Sequence, residues 1–185
     1  MTHLTRRTFA LGAVAGTTLA ACGNGIGSNG ASTIDARVSS TLSYMYDRYP
    51  ATRDLSQKSA GMLVMPLVTE VGLGLGGSFG RGALQVGGST VDYYSATSGS
   101  AGLQIGAQQF SHVLFFMTQN ALIDFRQSQG WAAGADLEYA ISDQAETLRA
   151  ETTTSLAPVI AVVFAQAGLR IGATVEGTKY TRIIP

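Results

Sequence analysis

Cysteine is nearly absent: the 185 residues hold one, Cys22. A single thiol excludes an intramolecular disulfide and any thiolate-rich metal centre. Histidine is almost as scarce, with His3 at the start and His112 the other. A zinc site takes three or four ligands drawn mainly from His and Cys, so no metal and no cofactor is expected. Charged residues make up 13% of the chain, with 12 basic and 12 acidic side chains. That balance gives no electrostatic reason to expect nucleic acid. No apolar run reaches the length of about 20 residues that crosses a bilayer as a helix. Proline is rare at 4 residues, while glycine is abundant at 23 without collagen periodicity. Such glycine content points to tight strands and turns rather than to a helical bundle.

The N-terminal segment carries the clearest signal. Arg6 and Arg7 stand in Thr5-Arg6-Arg7-Thr8-Phe9, followed by the uncharged stretch from Phe9 to Ala21. It ends in Leu19-Ala20-Ala21-Cys22, small residues placed for cleavage. A basic start, a short apolar centre and a small-residue end read as an export signal over residues 1–21. The register of Cys22 resembles the lipobox of bacterial lipoproteins. The resemblance implies lipidation of Cys22 and a mature protein in the cell envelope, tied to a membrane. Gly23 after the cysteine, in place of Asp, resembles sorting to the outer membrane, facing the periplasm. The Arg6–Arg7 pair suggests the twin-arginine export route. Without residues 1–21 the chain keeps 164 residues, 10 of them basic and 12 acidic, enough for one domain with a core.

Residues 22–32 read as the lipidated cysteine and a flexible glycine-rich tether, and residues 33–185 as the domain. Ile34, Val38, Leu42, Met45, Tyr46 and Tyr49 recur at helical spacing. Ser32 or Thr33 is placed to cap this helix, Asp35 falls in its first turn and Pro50 ends it. Its stripe either packs on the domain or touches lipid. Residues 51–59 read as a second short helix with Arg53 and Lys58.

From Gly61 the texture is β. Met62-Leu63-Val64-Met65 is a buried-strand run, and Val71-Gly72-Leu73-Gly74-Leu75-Gly76-Gly77 alternates large side chains with none. In a strand, Val71, Leu73 and Leu75 share one face and the other is bare, so something must approach that face closely. Short strands are expected at 82–86, 90–96, 101–108 and 111–117, with turns at Gly87-Gly88 and Ser98-Gly99-Ser100. Thr118 caps an internal helix up to Gln127, and further strands follow at 131–141, 146–152, 159–165, 169–175 and 179–184. The fold class is α+β and mainly antiparallel β. The sheet is curled like a barrel or sandwich, with an N-terminal amphipathic helix and one internal helix.

Five segments occurring in order resemble the SYLF family, also called Ysc84 or DUF500. They are Lys58-Ser59-Ala60-Gly61-Met62-Leu63-Val64-Met65-Pro66, then Gly72 to Gly77 with Gly80 and Gly82. Tyr93-Tyr94-Ser95-Ala96 with Gly102 to Gln108 follows, then Phe115 to Thr118 with Ala121 to Phe125. The last is Ala167-Gly168-Leu169 with Val175 to Lys179. The resemblance covers Leu55 to the C-terminus and implies a lipid-binding domain without catalysis. In eukaryotic relatives the lipid site involves an N-terminal amphipathic helix and basic residues. Its general character carries over here to the first helix and to Arg53 and Lys58.

The residues themselves point weakly to chemistry. Gly72, Gly74 and Gly77 fit Gly-x-Gly-x-x-Gly, but no helix-forming sequence follows to face a pyrophosphate. A hydrolase using Ser111 or His112 is the least favoured reading, so no catalytic residue is assigned. Candidate lipid contacts are Arg37, Arg53, Lys58, Arg81, Tyr94 and Trp131, since guanidinium forks meet phosphates and aromatic rings rest at lipid–water interfaces. The expected partner is membrane lipid, with an envelope protein recognised by a scaffold lipoprotein as the alternative.

Overall fold

A computed structural model describes residues 28–134, 137–141, 157–164 and 175–185. The expected strand at 146–152, and all but Val175 of that at 169–175, lie outside these residues. The architecture is α+β with a mainly antiparallel, curled sheet, as the sequence suggests. The elements are α1 (Gly30–Arg48), α2 (Thr52–Lys58), β1 (Gly61–Val86), β2 (Ser89–Phe116), α3 (Gln119–Gln127), β3 (Trp131–Ala132), β4 (Leu137–Ile141), β5 (Val159–Phe164) and β6 (Lys179–Ile183).

Two strands dominate. β1 and β2 form one antiparallel hairpin of 26 and 28 residues, joined by Gly87 and Gly88 at φ +59° and +79°. Two consecutive positive φ values make a two-residue turn whose twist suits paired strands. The expected run of short strands is thus replaced by two long ones. Ser98-Gly99-Ser100 is not a turn: Gly99 pairs with Gly77, and the Ser78 and Ser98 hydroxyls meet at 2.7 Å. Pairing with β1 overrides the local turn chemistry there.

A straight strand of this length would extend about 86 Å at roughly 3.3 Å per residue. A chain of this size packs to a radius of gyration of about 16 Å. The hairpin therefore folds back, and glycines mark the place. A Cβ on Gly82 would run into the Val64 carbonyl oxygen, and one on Gly80 would lie 2.7 Å from Val68 Cγ2 and 2.8 Å from the Leu67 oxygen. The expected close approach to a bare strand face is made by β1 itself.

The outer edge of β2 accepts two more strands. Its start pairs with β6, from Tyr93–Ile183 to Thr97–Lys179, and its end with β5, from Ser111–Phe164 to Phe116–Val159. β3 extends β6, and β4 joins β5 as the one parallel pair among the described strands. Alternation sorts the side chains with little ambiguity. Leu63, Met65, Leu114, Phe116, Ala161 and Val163 face the interior, where Tyr94, Tyr180 and Phe125 meet them. Met62, Val64, Val113, Phe115, Ile160 and Val162 face outward under α1.

Most of the α1 stripe is used in this packing. Ile34, Val38, Leu42 and Met45 are buried against the outer face of the sheet, so they do not face lipid. Burial of each such side chain contributes about 1.5–3 kcal/mol, and the sum holds the helix in place. The helix begins at Gly30, earlier than expected and inside the span read as tether. Ser32 and Thr33 therefore sit within its first turn, and their hydroxyls donate back to the Asn29 carbonyl rather than capping. Ser28 Oγ donates to the Pro185 carbonyl at 3.1 Å, tying the two ends of the described chain. Thr118 caps α3 as expected, its hydroxyl accepting from the Ala121 N–H at 3.2 Å.

Candidate functional site

Pro66 and Leu67 create the first asymmetry that matters. β1 advances from Met65 to Val68 while β2 advances from His112 to Phe110, so β1 holds one extra residue. A bulge is where a strand tolerates proline, and the Pro66 carbonyl accepts the Ser111 hydroxyl at 2.7 Å. Ser111 is therefore buried in a structural bond. His112 is buried beside it, its Nε2 2.8 Å from the Tyr180 hydroxyl, with Nδ1 unpartnered among the described residues. Burial pushes the imidazole pKa down to about 3, so the ring is neutral at ordinary pH. The chain also holds Gly-x-Ser-x-Gly at Gly76-Gly77-Ser78-Phe79-Gly80. The hydrolase elbow needs a strand-to-helix turn, whereas these residues lie inside β1. Among the described residues no three His, Cys, Asp or Glu side chains cluster as metal ligands.

An open cleft lies elsewhere, between the C-terminal half of α1, α2, the start of β1 and the hairpin turn. Its volume is about 440 Å³. Leu42, Tyr46 and Met62 supply apolar surface, and Ser56, Gln57 and Gln85 supply hydroxyl and amide groups. The glycines explain the shape. Gly61 brings the first residue of β1 against its last, since a Cβ there would lie 3.1 Å from the Gln85 oxygen and 3.2 Å from Val86 Cγ2. At Gly87 and Gly88 a Cβ would meet nothing, so this rim is open.

Tyr46 organises the helical wall. Its hydroxyl bonds to Ser56 Oγ at 2.9 Å, and the Arg53 guanidinium lies over its ring at 4.9 Å. Arg53 also pairs with Asp47 at 3.4 Å, with both side chains more than half exposed. Such a pair is worth little and leaves the cation open to exchange. Lys58 is exposed between Gln57 and Ser59, which both line the cleft. Of the expected basic residues, Arg53 touches the cleft through the Tyr46 ring, and Lys58 stands exposed on the same short helix.

The other candidates lie apart. Arg37 is exposed on α1, and Arg81 stands on β1 with its guanidinium 5.8 Å from the Phe79 ring. Tyr94 is a correction: it is 2% exposed, with its ring 4.8 Å from Phe125. β2 alternation turns Tyr94 inward with Ala96, while Tyr93 faces α1. Burial pushes the Tyr94 phenol above its ordinary pKa, with Arg182 opposing. Trp131 is half-buried against Phe125 and Tyr180, at 5.5 and 5.8 Å. Asp35 is not a first-turn acid. Its carboxylate accepts from Thr90 at 3.0 Å and Tyr93 at 2.8 Å, fastening α1 to the hairpin. Burial, then the bond and charge of Asp35, raise the Tyr93 pKa to about 12.

No signal in the sequence could have found the cleft, because its walls come from four separated segments. No curated protein matches the chain. A family model does: residues 97–182, from within β2 through β6, match Ysc84, described as "Las17-binding protein actin regulator". Over that segment the chain is similar to the Ysc84, or SYLF, family.

Proposed function

We propose that this domain binds the phosphate-bearing headgroup of a membrane lipid in the cleft between α1 and α2. It would do so as the folded part of a lipid-anchored envelope protein that supports envelope integrity. The observation that carries the reading is the cleft itself, with hydroxyls and amides inside, Arg53 over the ring of its lining residue Tyr46 and Lys58 exposed on the helix that supplies Ser56 and Gln57. Hydroxyl and amide groups orient a polar headgroup, and cations at the edge attract its phosphate. The anchor at Cys22 fits this arrangement. Seven residues separate Cys22 from Gly30, the start of α1, a reach of about 25 Å when extended. A domain so tethered sees lipid at high local concentration, and weak contacts then suffice.

The test uses the full chain carrying Cys22→Ser, which removes the lipidation site. Flotation with vesicles of phosphatidylethanolamine and phosphatidylglycerol is expected, weakening with salt and with Arg53→Glu plus Lys58→Glu. A protein that stays with the solution phase refutes the reading. The family description, which names Las17 binding, favours a second reading in which the domain is a scaffold for a protein. Crosslinking in cells would then give a dominant protein adduct unaffected by lipid composition.

A further inference from the structure

The hydroxyl chain in the cleft ends on a sulfur. The Tyr46 hydroxyl donates to Ser56 Oγ at 2.9 Å, and the Ser56 hydroxyl in turn points to Met62 Sδ at 3.9 Å. The Tyr46 hydroxyl lies at the same 3.9 Å from that sulfur. A thioether is only a weak acceptor, so donors from α1 and α2 converge on a group that rewards them little. One oxygen atom added to the sulfur reverses this. A sulfoxide oxygen accepts strongly, stands within reach of both hydroxyls, and polarises the Tyr46–Ser56 bond behind it.

The other methionines of the described residues lack this setting. Met45 and Met65 are both 0% exposed and packed in the two apolar clusters, where an added oxygen would be buried without a partner. Met117 is half-buried against the outer cluster. Met62 is 8% exposed and lines the open cleft, which admits an oxidant of about the size of water. Access and a paired destination for the new oxygen therefore meet at Met62.

We propose that Met62 is a site of reversible oxidation, where a peroxide forms a sulfoxide held by Ser56 and Tyr46 and the cleft wall turns from apolar to polar. A sulfur lone pair takes one oxygen of hydrogen peroxide and the O–O bond breaks. The departing hydroxide takes the proton of the transferred oxygen and leaves as water. Sulfur is oxidised and the peroxide reduced. A dithiol enzyme reverses the step: the oxygen leaves as water while the two thiols close to a disulfide. The inference holds whichever ligand the cleft takes, so it does not rest on the lipid reading.

The experiment treats the full chain carrying Cys22→Ser, which has no thiol, with hydrogen peroxide and follows each methionine by peptide mass spectrometry. Met62 sulfoxide is expected to form at least about tenfold faster than the sulfoxides of Met45 and Met65, which wait for the fold to open. Met117→Leu, a volume-conserving change, then removes the half-buried methionine before thermal denaturation. In that chain, oxidation is expected to lower the melting temperature about 2–4 °C further when Ser56→Ala or Tyr46→Phe is present, the worth of about one hydrogen bond. A methionine sulfoxide reductase with dithiothreitol is expected to restore the original mass. The proposal is overturned by Met62 oxidising no faster than Met45 and Met65, a comparison that needs neither hydroxyl variant. It is also overturned by an equal fall in melting temperature with and without the hydroxyls, or by a sulfoxide that the reductase leaves in place.

Discussion

Gly82→Ala tests whether the hairpin crosses itself as described. The added methyl would sit 2.5 Å from Met65 Sδ and 2.9 Å from the Val64 carbonyl carbon, and closer still to that oxygen. Non-bonded heavy atoms rest at about 3.5–4.0 Å, so Val64 must move by about 1 Å or more. Met65 could swing its sulfur away, but Val64 presents backbone, held in the ladder opposite Val113. Overpacking costs typically about 1–3 kcal/mol, and a backbone obstacle belongs at the upper end. A loss of about 3 kcal/mol lowers the melting temperature by roughly 6–12 °C in a chain of this size. Thermal and urea denaturation of the Cys22→Ser chain, followed by circular dichroism, measures it. Gly80→Ala should cost less, because one of its obstacles is the Val68 side chain, and Gly99→Ala should cost little, because nothing lies near its Cβ. A Gly82→Ala protein within about 0.5 kcal/mol of its parent refutes the crossing.

Further outcomes follow from individual contacts. His112 has a folded pKa of about 3, below its unfolded value near 6.5, so the unfolded chain binds the proton first. Its contribution to stability is whole above about pH 6.5 and falls as pH drops toward 3, by about 1.4 kcal/mol per pH unit. Between pH 6.5 and 5, His112→Gln should therefore flatten the stability profile measured by urea titration; an unchanged slope counts against a buried neutral ring. Thr118→Ala removes the α3 cap and should cost about 1 kcal/mol in the same assay. Asp35→Asn should bring the Tyr93 phenol back down from about 12 toward its ordinary value, read by ultraviolet titration. No movement there would mean that Asp35 does not govern that phenol.

The helices and the β character were legible because they are written in local periodicity. Ile34, Val38, Leu42 and Met45 all pack from α1 onto the sheet, and Thr118 caps α3. The strand lengths were not legible, because Ser98-Gly99-Ser100 has the composition of a turn and only its pairing with β1 shows otherwise. Tyr94 and Tyr93 differ in environment by one step of alternation, and the phase of that alternation is set by tertiary packing rather than by their own residues. Pro66 has a comparable effect at longer range: the bulge beside it decides which face of the glycine run looks inward. The cleft depends on the return of Val86 to Gly61, a contact that no spacing rule reports.

The hairpin also bears on the order of assembly. Every β1–β2 pair, from Val86–Ser89 out to Gly61–Phe116, is joined through the single turn at Gly87 and Gly88. Such a ladder can zip outward from its turn, and each new pair adds only a small increment of loop entropy once its inner neighbour has formed. Long-range closure is then left to few events: the fold-over at Gly80 and Gly82, the docking of α1, and the arrival of β5 and β6 on β2. Folding kinetics should accordingly register substitutions near the turn in the folding rate, and substitutions at the crossing chiefly in the unfolding rate.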